Sequence, residues 1–451
     1  MQHCSPNLPD NADPAGAVDT VAGPINLADR TDKPTRLDHE LMTWREKLQD
    51  QHRQRTADRL WRTRLAIQSP QGRLIEVDGR TLLNFCSNDY LGLANDPRLI
   101  EASVDACREF GTGSGASHLI CGHSRLHQQL EEQIAGFVGA QRAVVFSTGY
   151  MANLAIPQAF LGRGDLVLQD RLNHASLIDA GRFCDATFKR YAHGDAAALR
   201  EQWQKHSGTG QVMVMTDGVF SMDGDLAPLV EIERHCSQED GLLVVDDAHG
   251  FGVLGKRGIG SLEVAGLAPK GHVLMVGTLG KAAGSFGAFV AGDAELIEHL
   301  VQFGRTYIYT TALPPQVVAA TAAAIQLITN EPHRRSQLHE HVLEFRNAVR
   351  QLDTSGVVFS RLLEHDSPIQ PLMIGSNEDA LWASEFLNQQ GLLVSAIRPP
   401  TVPLGSSRLR ITLTAGHTKQ DVQRLAETVC HPELVARLAG RPPEVAVGAS
   451  S

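Results

Sequence analysis

Short apolar runs that alternate with stretches of helical periodicity constrain the fold of this sequence more than any other feature. Each run is rich in valine, leucine or isoleucine, or is bounded by glycine, aspartate or asparagine. The runs follow Gly92 and comprise Ala143–Ser147, Leu166–Gln169, Val212–Met215, Leu242–Val245, Val273–Val276 and Gly287–Val290. Apolar strands separated by helices are typical of a parallel sheet buried on both faces. The sequence therefore predicts an α/β fold, with a mostly parallel central sheet and helices on both of its faces.

The pattern changes near Asn330, after a long alanine-rich helix that follows Pro314 and Pro315. Helical stretches there alternate with further strands, which are predicted at Ile369–Ile374, Leu392–Ile397 and Ser407–Leu413. This mixture predicts a smaller α+β domain at the C-terminal end. The predicted division is a disordered leader (1–40), an N-terminal helical segment (41–92), a large α/β domain (93–330), the α+β domain (331–435) and a flexible tail (436–451).

Charge and cysteine usage narrow the classes of partner. The formal net charge is −10, which argues against nucleic acid or an anionic membrane as the main partner and favours a small ligand. The seven cysteines never form a C-x-x-C pair, so we expect reduced thiols rather than a disulfide framework. No secretion signal or run of 18 apolar residues is present, so we expect a cytoplasmic protein without a membrane partner.

One segment departs from the acidic balance of the chain. Between Arg45 and Arg64, seven lysines and arginines accompany three acidic residues on a stretch with helical periodicity. A solvated helix face and a docking surface for an acidic partner both explain this composition.

The residues that follow the predicted strands are chemically reactive types. Asp246 and His249 follow one strand, Lys281 follows the next, and His174 follows another. Because ligands of parallel sheets bind beyond the carboxyl ends of the strands, we expect these side chains to share one cleft. Each has a structural explanation when taken alone: an aspartate can cap a helix, a lysine can lie on the surface, and a histidine can be a hydrogen-bonded core residue. Their coincidence at neighbouring strand ends favours a functional site.

A lysine among acids in a glycine-lined cleft is typical of Schiff-base chemistry. Its amine must have a pKa well below the usual value near 10.4 to act as a nucleophile at neutral pH, and burial lowers it. Pyridoxal 5′-phosphate (PLP) needs such a lysine, a carboxylate beside its ring nitrogen and a phosphate site. Lys281 and Asp246 fit the first two requirements. Gly149 and Tyr150, at the start of a predicted helix, offer backbone N–H groups for the phosphate, and Thr278 offers a hydroxyl.

Two other classes of function remain as alternatives at this point. A metal-dependent hydrolase could use Asp246, His249 and His174 as ligands, but neither histidine belongs to an H-x-x-x-H or H-E-x-x-H pair, and we predict no metal site. A binding or scaffold protein would need none of the lysine, carboxylate and imidazole groups that converge here.

Several motifs resemble one enzyme family in the order in which they occur. They are Asn88-Asp89-Tyr90-Leu91-Gly92-Leu93, Asn173-His174-Ala175-Ser176, Gly218-Val219-Phe220-Ser221-Met222-Asp223-Gly224, Asp246-Asp247-Ala248-His249-Gly250 and Thr278-Leu279-Gly280-Lys281. These motifs resemble the α-oxoamine synthases, which are PLP-dependent transferases of fold type I, the aspartate aminotransferase fold. The resemblance runs from about Met42 to about Val429 and implies a homodimer.

A further motif resembles one branch of that family. The stretch 396–403, followed by 408–412, is similar to the branch that joins L-alanine to a pimeloyl thioester in biotin biosynthesis, with loss of carbon dioxide and the thiol carrier. Branches that act on glycine or serine usually have Tyr-Pro or Phe-Pro there. Whether the acyl group is carried by coenzyme A or by acyl carrier protein (ACP) is left open by the motifs.

The resemblance implies a role for each site residue. Lys281 would bind PLP covalently, Asp246 would pair with the ring nitrogen, and His174 would stack on the ring. The remaining expected cofactor contacts are His249 and Ser221 at the 3-oxygen and Gly149, Tyr150 and Thr278 at the phosphate, with Thr310 or Thr311 reaching in from a second subunit. The expected substrate contacts are Arg62, Asn88, His174, Arg398 and Thr401.

Overall fold

A computed structural model describes residues 43–206, 208 and 210–440. The predicted leader lies outside the described residues, as does most of the predicted tail. Within this range the chain forms two compact units, which meet in sequence between Trp61 and Arg62.

The described residues of the first unit contain one helix. Helix α1 (Trp44–Ala57) begins at Thr43, whose hydroxyl accepts a hydrogen bond from the Glu46 N–H while the Glu46 carboxylate accepts one from the Thr43 N–H. The helix ends before Arg59, whose φ of 58° is left-handed. The predicted helix is therefore confirmed but ends earlier than the periodicity indicated. No side chain of α1 is buried within the described chain.

The second unit contains the sheets. Its strands are β1 Leu74–Val77, β2 Arg80–Asn84, β3 Arg142–Phe146, β4 Leu166–Asp170, β5 Thr187–Tyr191, β6 Val212–Asp217, β7 Leu242–Asp246, β8 Val273–Thr278, β9 Ala288–Gly292, β10 Ile369–Gly375, β11 Leu392–Leu393, β12 Ser395–Ile397 and β13 Ser407–Thr412. Seven of them form the central sheet in the order β3-β9-β8-β7-β6-β4-β5. Only β9 runs antiparallel to its neighbours in this sheet, so the predicted mostly parallel sheet is confirmed.

Helices cover both faces of this sheet, and others pack in the C-terminal part of the chain. The helices of the second unit are α2 Pro97–Phe110, α3 Arg125–Val138, α4 Gly149–Phe160, α5 Ala175–Phe183, α6 Ala196–Lys205, α7 Leu229–Gln238, α8 Ser261–Val264, α9 Ala294–Phe303, α10 Arg305–Ile308, α11 Pro315–Asn330, α12 His333–Leu352, α13 Asn377–Gln389, α14 Lys419–Val429 and α15 Pro432–Ala439. Neighbouring strand residues such as Leu166 and Val167 belong to different hydrophobic clusters, which lie on opposite faces. None of the helices in the described part of the chain is both long and apolar enough to cross a membrane.

Two of the predicted segments were wrong, one in its secondary structure and one in where it starts. The segment 41–92 is not helical throughout, because β1 and β2 form an antiparallel hairpin around Asp78 and Gly79, which both have positive φ. This hairpin pairs with β11 from the C-terminal part of the chain. The predicted tail also starts too early, since α15 continues to Ala439 and buries Leu438. The β10-β13-β12 sheet with its helices confirms the small C-terminal α+β layer, whereas the exact division at 330 stays a prediction.

The side chain of Arg73 ties the hairpin region to α14. Its guanidinium donates two hydrogen bonds to Asp421, one of them of 2.9 Å from Nη2 to Oδ1. Burial would raise the pKa of Asp421, but the hydrogen bonds from Arg73 and Thr418 outweigh it and lower the pKa to about 2. Asp421 therefore stabilises the fold above its unfolded pKa near 3.9, and this contribution is lost as the pH falls toward 2.

We predict that Asp421→Asn lowers the free energy of unfolding by about 1 kcal/mol at pH 7, a value discounted because Arg73 is partly exposed. Urea unfolding of both proteins at several pH values measures it. The difference between the two proteins should narrow below about pH 4. A difference that is equally large at pH 7 and pH 3 would show that the ion pair is not its source.

Candidate active site

Acidic and basic side chains converge at the carboxyl edge of the central sheet. Asp217, Asp246 and Thr278 are the last residues of β6, β7 and β8, which are neighbours in the sheet. The turns that follow β7 and β8 carry His249 and Lys281. The strand order therefore explains why residues far apart in the sequence share one cleft.

A hydrogen-bonded chain runs from Lys281 through His249 to Tyr90. The Lys281 Nζ lies 2.8 Å from the His249 Nε2, and the His249 Nδ1 lies 2.6 Å from the Tyr90 hydroxyl. Burial holds the pKa of His249 well below its ordinary value, and the positive charges of Lys281 and Arg410 lower it further. His249 is therefore a neutral ring, with one nitrogen that donates and one that accepts.

The surroundings of Lys281 bring the pKa of its amine closer to neutral pH. Burial lowers the pKa of Lys281 to about 8. The negative charge of Asp246 opposes this shift, and the positive charge of Arg410 adds to it. An amine with this pKa is partly unprotonated at neutral pH, as a nucleophile or a base must be.

Two N–H groups hold Asp246 in place. The Asn153 Nδ2 donates to Oδ2 at 2.6 Å, and the Ala248 N–H donates to Oδ1 at 3.0 Å. Asn153 is fully buried on α4. The carboxylate of Asp246 is therefore fixed in orientation beneath the cleft.

His174 lies on the turn after β4 with its ring partly open to solvent. Its backbone N–H donates to Asp217 Oδ2 at 2.6 Å. Desolvation by the surrounding protein lowers the pKa of His174, against the charge of Asp246, which raises it. Burial and the neighbouring charge of Asp246 hold the pKa of Asp217 well above its ordinary value. The open imidazole face is a surface on which a planar ring can stack.

The predicted phosphate residues surround the start of α4. Gly149 and Tyr150 begin this helix, and the Thr148 hydroxyl accepts from the Met151 N–H at 3.1 Å. The Tyr150 hydroxyl donates to Asp179, so its side chain is directed toward α5. The Thr278 hydroxyl donates to the Gly287 carbonyl at 3.3 Å. The first N–H groups of a helix are an anion site, which agrees with the prediction without testing it.

The predicted substrate residues form two groups. The Arg62 Nη2 donates to the Thr401 hydroxyl at 3.0 Å, and the pKa of Arg398 is lowered by burial and by the charge of Arg62. These three residues therefore lie together. Asn88 belongs to the Lys281 group, because its Oδ1 accepts hydrogen bonds from Tyr90 and from the Arg410 guanidinium at 3.1 Å.

Ser221 lies beside the same group. Its carbonyl accepts a 2.7 Å hydrogen bond from the Arg410 Nε, which holds the loop after β6 against the cleft. The predicted contact of the Ser221 hydroxyl with a cofactor oxygen stays a prediction.

Sequence reasoning missed four residues of this site: Tyr90, Asn153, Asp217 and Arg410. Asp217 ends β6, so the rule of inspecting strand ends could have found it. Asn153 is a polar residue among apolar neighbours on α4, which is also a detectable signal. Tyr90 and Arg410 lie within the motifs, but only the folded chain shows what they contact.

The residues present fit PLP. A buried amine with a lowered pKa, a fixed carboxylate, an open imidazole face and a helix N-terminus are the groups that this cofactor requires. Among the described residues, no group of three or more histidine, cysteine or acidic side chains could hold a metal ion.

Comparisons with known proteins agree with this geometry. The family of class I and II aminotransferases matches residues 80–429. An 8-amino-7-oxononanoate synthase of Cellvibrio japonicus is 50% identical over 376 residues, which cover 83% of this chain and 93% of that protein. The structure of an 8-amino-7-oxononanoate synthase from Francisella tularensis has a TM-score of 0.65 at 30% identity and covers 77% of this chain and 97% of that one.

A second solved structure is a serine palmitoyltransferase from S. paucimobilis with a bound compound of PLP and myriocin. It has a TM-score of 0.79 at 28% identity and covers 88% of this chain and 97% of that one. The fold type I architecture predicted from the motifs is thereby confirmed.

The pKa of Lys281 can be measured in the cofactor-free protein. We predict that the rate of reductive methylation at Lys281 has a pH midpoint of about 8, followed by mass spectrometry of the peptide. Asp246→Asn should lower this midpoint, because it removes the charge that raises the pKa, whereas Arg410→Met should raise it. The exposed Lys205 in the same digest reports the reagent's own pH dependence. Shifts of the same sign in both variants would contradict the electrostatic account.

Proposed function

The chain belongs to the aminotransferase class I and II family and, within it, to the 8-amino-7-oxononanoate synthases, from which we infer the reaction and the role of each site residue. The protein is a PLP-dependent acyltransferase of biotin biosynthesis. It joins L-alanine to a pimeloyl thioester and gives 8-amino-7-oxononanoate, carbon dioxide and the free thiol. The 50% identity to a relative of this name over 376 residues is the observation that carries this conclusion.

Lys281 is the residue that we assign to covalent attachment and proton transfer. When bound, PLP supplies an electron-poor ring that stabilises negative charge on the α-carbon of an amino acid. The Lys281 amine, with a pKa of about 8, can accept the α-proton of alanine and return a proton later. The contact of its Nζ with the neutral His249 orients the amine.

Asp246 and His174 are both assigned to contacts with the cofactor ring. The carboxylate of Asp246, held by Asn153 and the Ala248 N–H, would keep a proton on the ring nitrogen and so keep the ring electron-poor. His174 would stack on the ring through its open face. His249 and Ser221 would form hydrogen bonds in the region of the 3-oxygen.

The phosphate and the substrates would lie on two sides of this centre. We assign the phosphate to the first N–H groups of α4, at Gly149 and Tyr150, and to the Thr278 hydroxyl. The remaining substrate contacts are assigned to Asn88 beside Lys281 and to the group formed by Arg62, Arg398 and Thr401. Because Arg62 and Arg398 place two positive charges together, that group suits the free carboxylate of a pimeloyl chain.

Three finer assignments are part of the proposal. A homodimer is expected from the family, with Thr310 or Thr311 as candidates for contacts to a second subunit. The acyl group is carried by ACP or by coenzyme A, and the basic stretch from Arg45 to Arg64 favours an acidic carrier only by its charge. A cytoplasmic location remains a prediction from the sequence.

The reaction predicts a fixed stoichiometry and a fixed dependence on Lys281. With L-alanine and a pimeloyl thioester, the PLP-loaded protein should release one carbon dioxide for each thiol. Lys281→Ala should abolish both releases while PLP still binds, because the phosphate and ring contacts remain. Thiol release without carbon dioxide would show a hydrolase rather than a condensing enzyme. Appreciable turnover by the alanine variant would contradict the role of Lys281.

A further inference from the structure

A buried hydrogen-bond relay connects Asp246 to His174 through Asn153 and Ser176. The Asn153 Nδ2 lies 2.6 Å from Asp246 Oδ2 and 2.9 Å from the Ser176 Oγ. The Ser176 Oγ lies 2.8 Å from the His174 Nδ1. Asn153 and Ser176 are both almost completely buried. The relay therefore joins the carboxylate and the imidazole of the proposed cofactor site through groups that water does not reach.

The chemistry of these groups fixes the direction of each hydrogen bond. An amide nitrogen carries two hydrogens and accepts no hydrogen bond. The Asn153 Nδ2 therefore donates one hydrogen bond to Asp246 and one to Ser176. The Ser176 hydroxyl accepts one of these hydrogens, and its own single hydrogen is left for the His174 Nδ1. The backbone N–H of Ser176 also donates to this nitrogen at 3.3 Å. Two donors thus converge on the His174 Nδ1, which must accept, so the ring carries its proton on Nε2.

We propose that Asn153 and Ser176 are positioning residues that together fix the orientation of the Asp246 carboxylate and hold His174 as a neutral imidazole. The inference rests on the proposed function, since it concerns the charges that face a bound PLP ring. The charges of Asp246 and Lys281 act on His174, and His249 interacts with it electrostatically. Asp217 accepts a hydrogen bond from the His174 backbone N–H.

The charge assignment matters because His174 would stack on a ring with a protonated nitrogen. An imidazolium there would place a second positive charge against that ring and would oppose its protonation. The relay prevents this, because a proton on the His174 Nδ1 would face two N–H or O–H donors. It also keeps a hydrogen-bond donor on Asp246, which fixes the orientation of this carboxylate. One amide on α4 therefore orients the carboxylate at one end of the relay and supports the neutral imidazole at the other.

The unpartnered end of the same amide supports this assignment. In the described part of the chain, the Asn153 Oδ1 is buried and has no hydrogen-bond partner. A flipped amide would lose the hydrogen bond to Asp246, because its oxygen would then face a carboxylate. The Asn153 side chain thus leaves its oxygen without a partner, while its nitrogen makes two hydrogen bonds. This arrangement is expected if the function of the side chain is to make those two bonds.

Three variants test the relay: Ser176→Ala, Asn153→Leu and the double variant. Each is loaded with PLP, and its PLP dissociation constant, the pH dependence of the visible absorbance of the bound cofactor, and kcat and KM for alanine are measured. Ser176→Ala should lower kcat about tenfold and move the acidic limb of the absorbance titration to higher pH, because His174 is then protonated more readily. Asn153→Leu should have a larger effect, since it also removes a bond to Asp246.

The double variant shows whether Asn153 and Ser176 act on His174 together or whether the two substitutions have independent structural effects. If Asn153 acts on His174 through Ser176, adding Ser176→Ala to Asn153→Leu has a smaller effect than Ser176→Ala has in the wild type. Effects that multiply would overturn the proposal, as would a Ser176→Ala titration identical to the wild type. If Asn153→Leu fails to fold, the absorbance titration of Ser176→Ala still tests the proposal.

Ser407→Ala is the matched control. Ser407 is also fully buried, and its hydroxyl donates to the Asn377 side chain at 2.7 Å within the C-terminal sheet. It should leave the absorbance titration unchanged, and a shift as large as that of Ser176→Ala would contradict a specific relay. A wild-type protein that takes up no PLP would instead refute the proposed function, so the two failures are distinguishable.

Discussion

The burial of one lysine amine beside one carboxylate is the constraint on which the rest of the site depends. Removing Lys281 from water lowers the pKa of its amine, and the charge of Asp246 limits that fall to about 8. Without the carboxylate the amine would lose more of its positive form, and without burial it would stay protonated at neutral pH. The other residues of the cleft act on this balance: Arg410 adds positive charge, and the neutral His249 contacts the amine directly.

The sheet makes this balance possible because it brings strand ends together. Asp246 ends β7 and Lys281 follows β8, and these strands are hydrogen-bonded neighbours. Parallel strands place their carboxyl ends at the same edge, where helix N-termini such as that of α4 also point. A site with a lysine, a carboxylate and an anion-binding helix end is therefore a direct consequence of the topology.

The part of this account that could be predicted from sequence is the part with a periodic or positional signal. The apolar runs predicted every strand of the central sheet except β5, whose residues Thr187–Tyr191 include exposed lysine and arginine and sit at the edge of the sheet. The hairpin at Asp78–Gly79 was missed although an Asp-Gly pair is a strong turn signal. Its partner strand β11 is distant in sequence, so no local pattern reveals their pairing.

The same distinction applies to the site. Residues after strand ends, such as His174, Asp246, His249 and Lys281, were found by position, and the structure brings them together. Their hydrogen-bond partners, Tyr90 and Asn153, come from a turn and a helix interior. Which side chains these partners contact depends on packing between distant segments, and packing has no signature in a single sequence. The roles themselves rest on chemistry and on the family.

The most direct test of the central claim compares amino acids with one acyl donor. Thiol release from a pimeloyl thioester by the PLP-loaded protein would be measured with L-alanine, glycine and L-serine at equal concentration. The account predicts a strong preference for L-alanine. Release with glycine or serine in place of alanine would keep the lysine and carboxylate chemistry but contradict the assignment to 8-amino-7-oxononanoate synthesis.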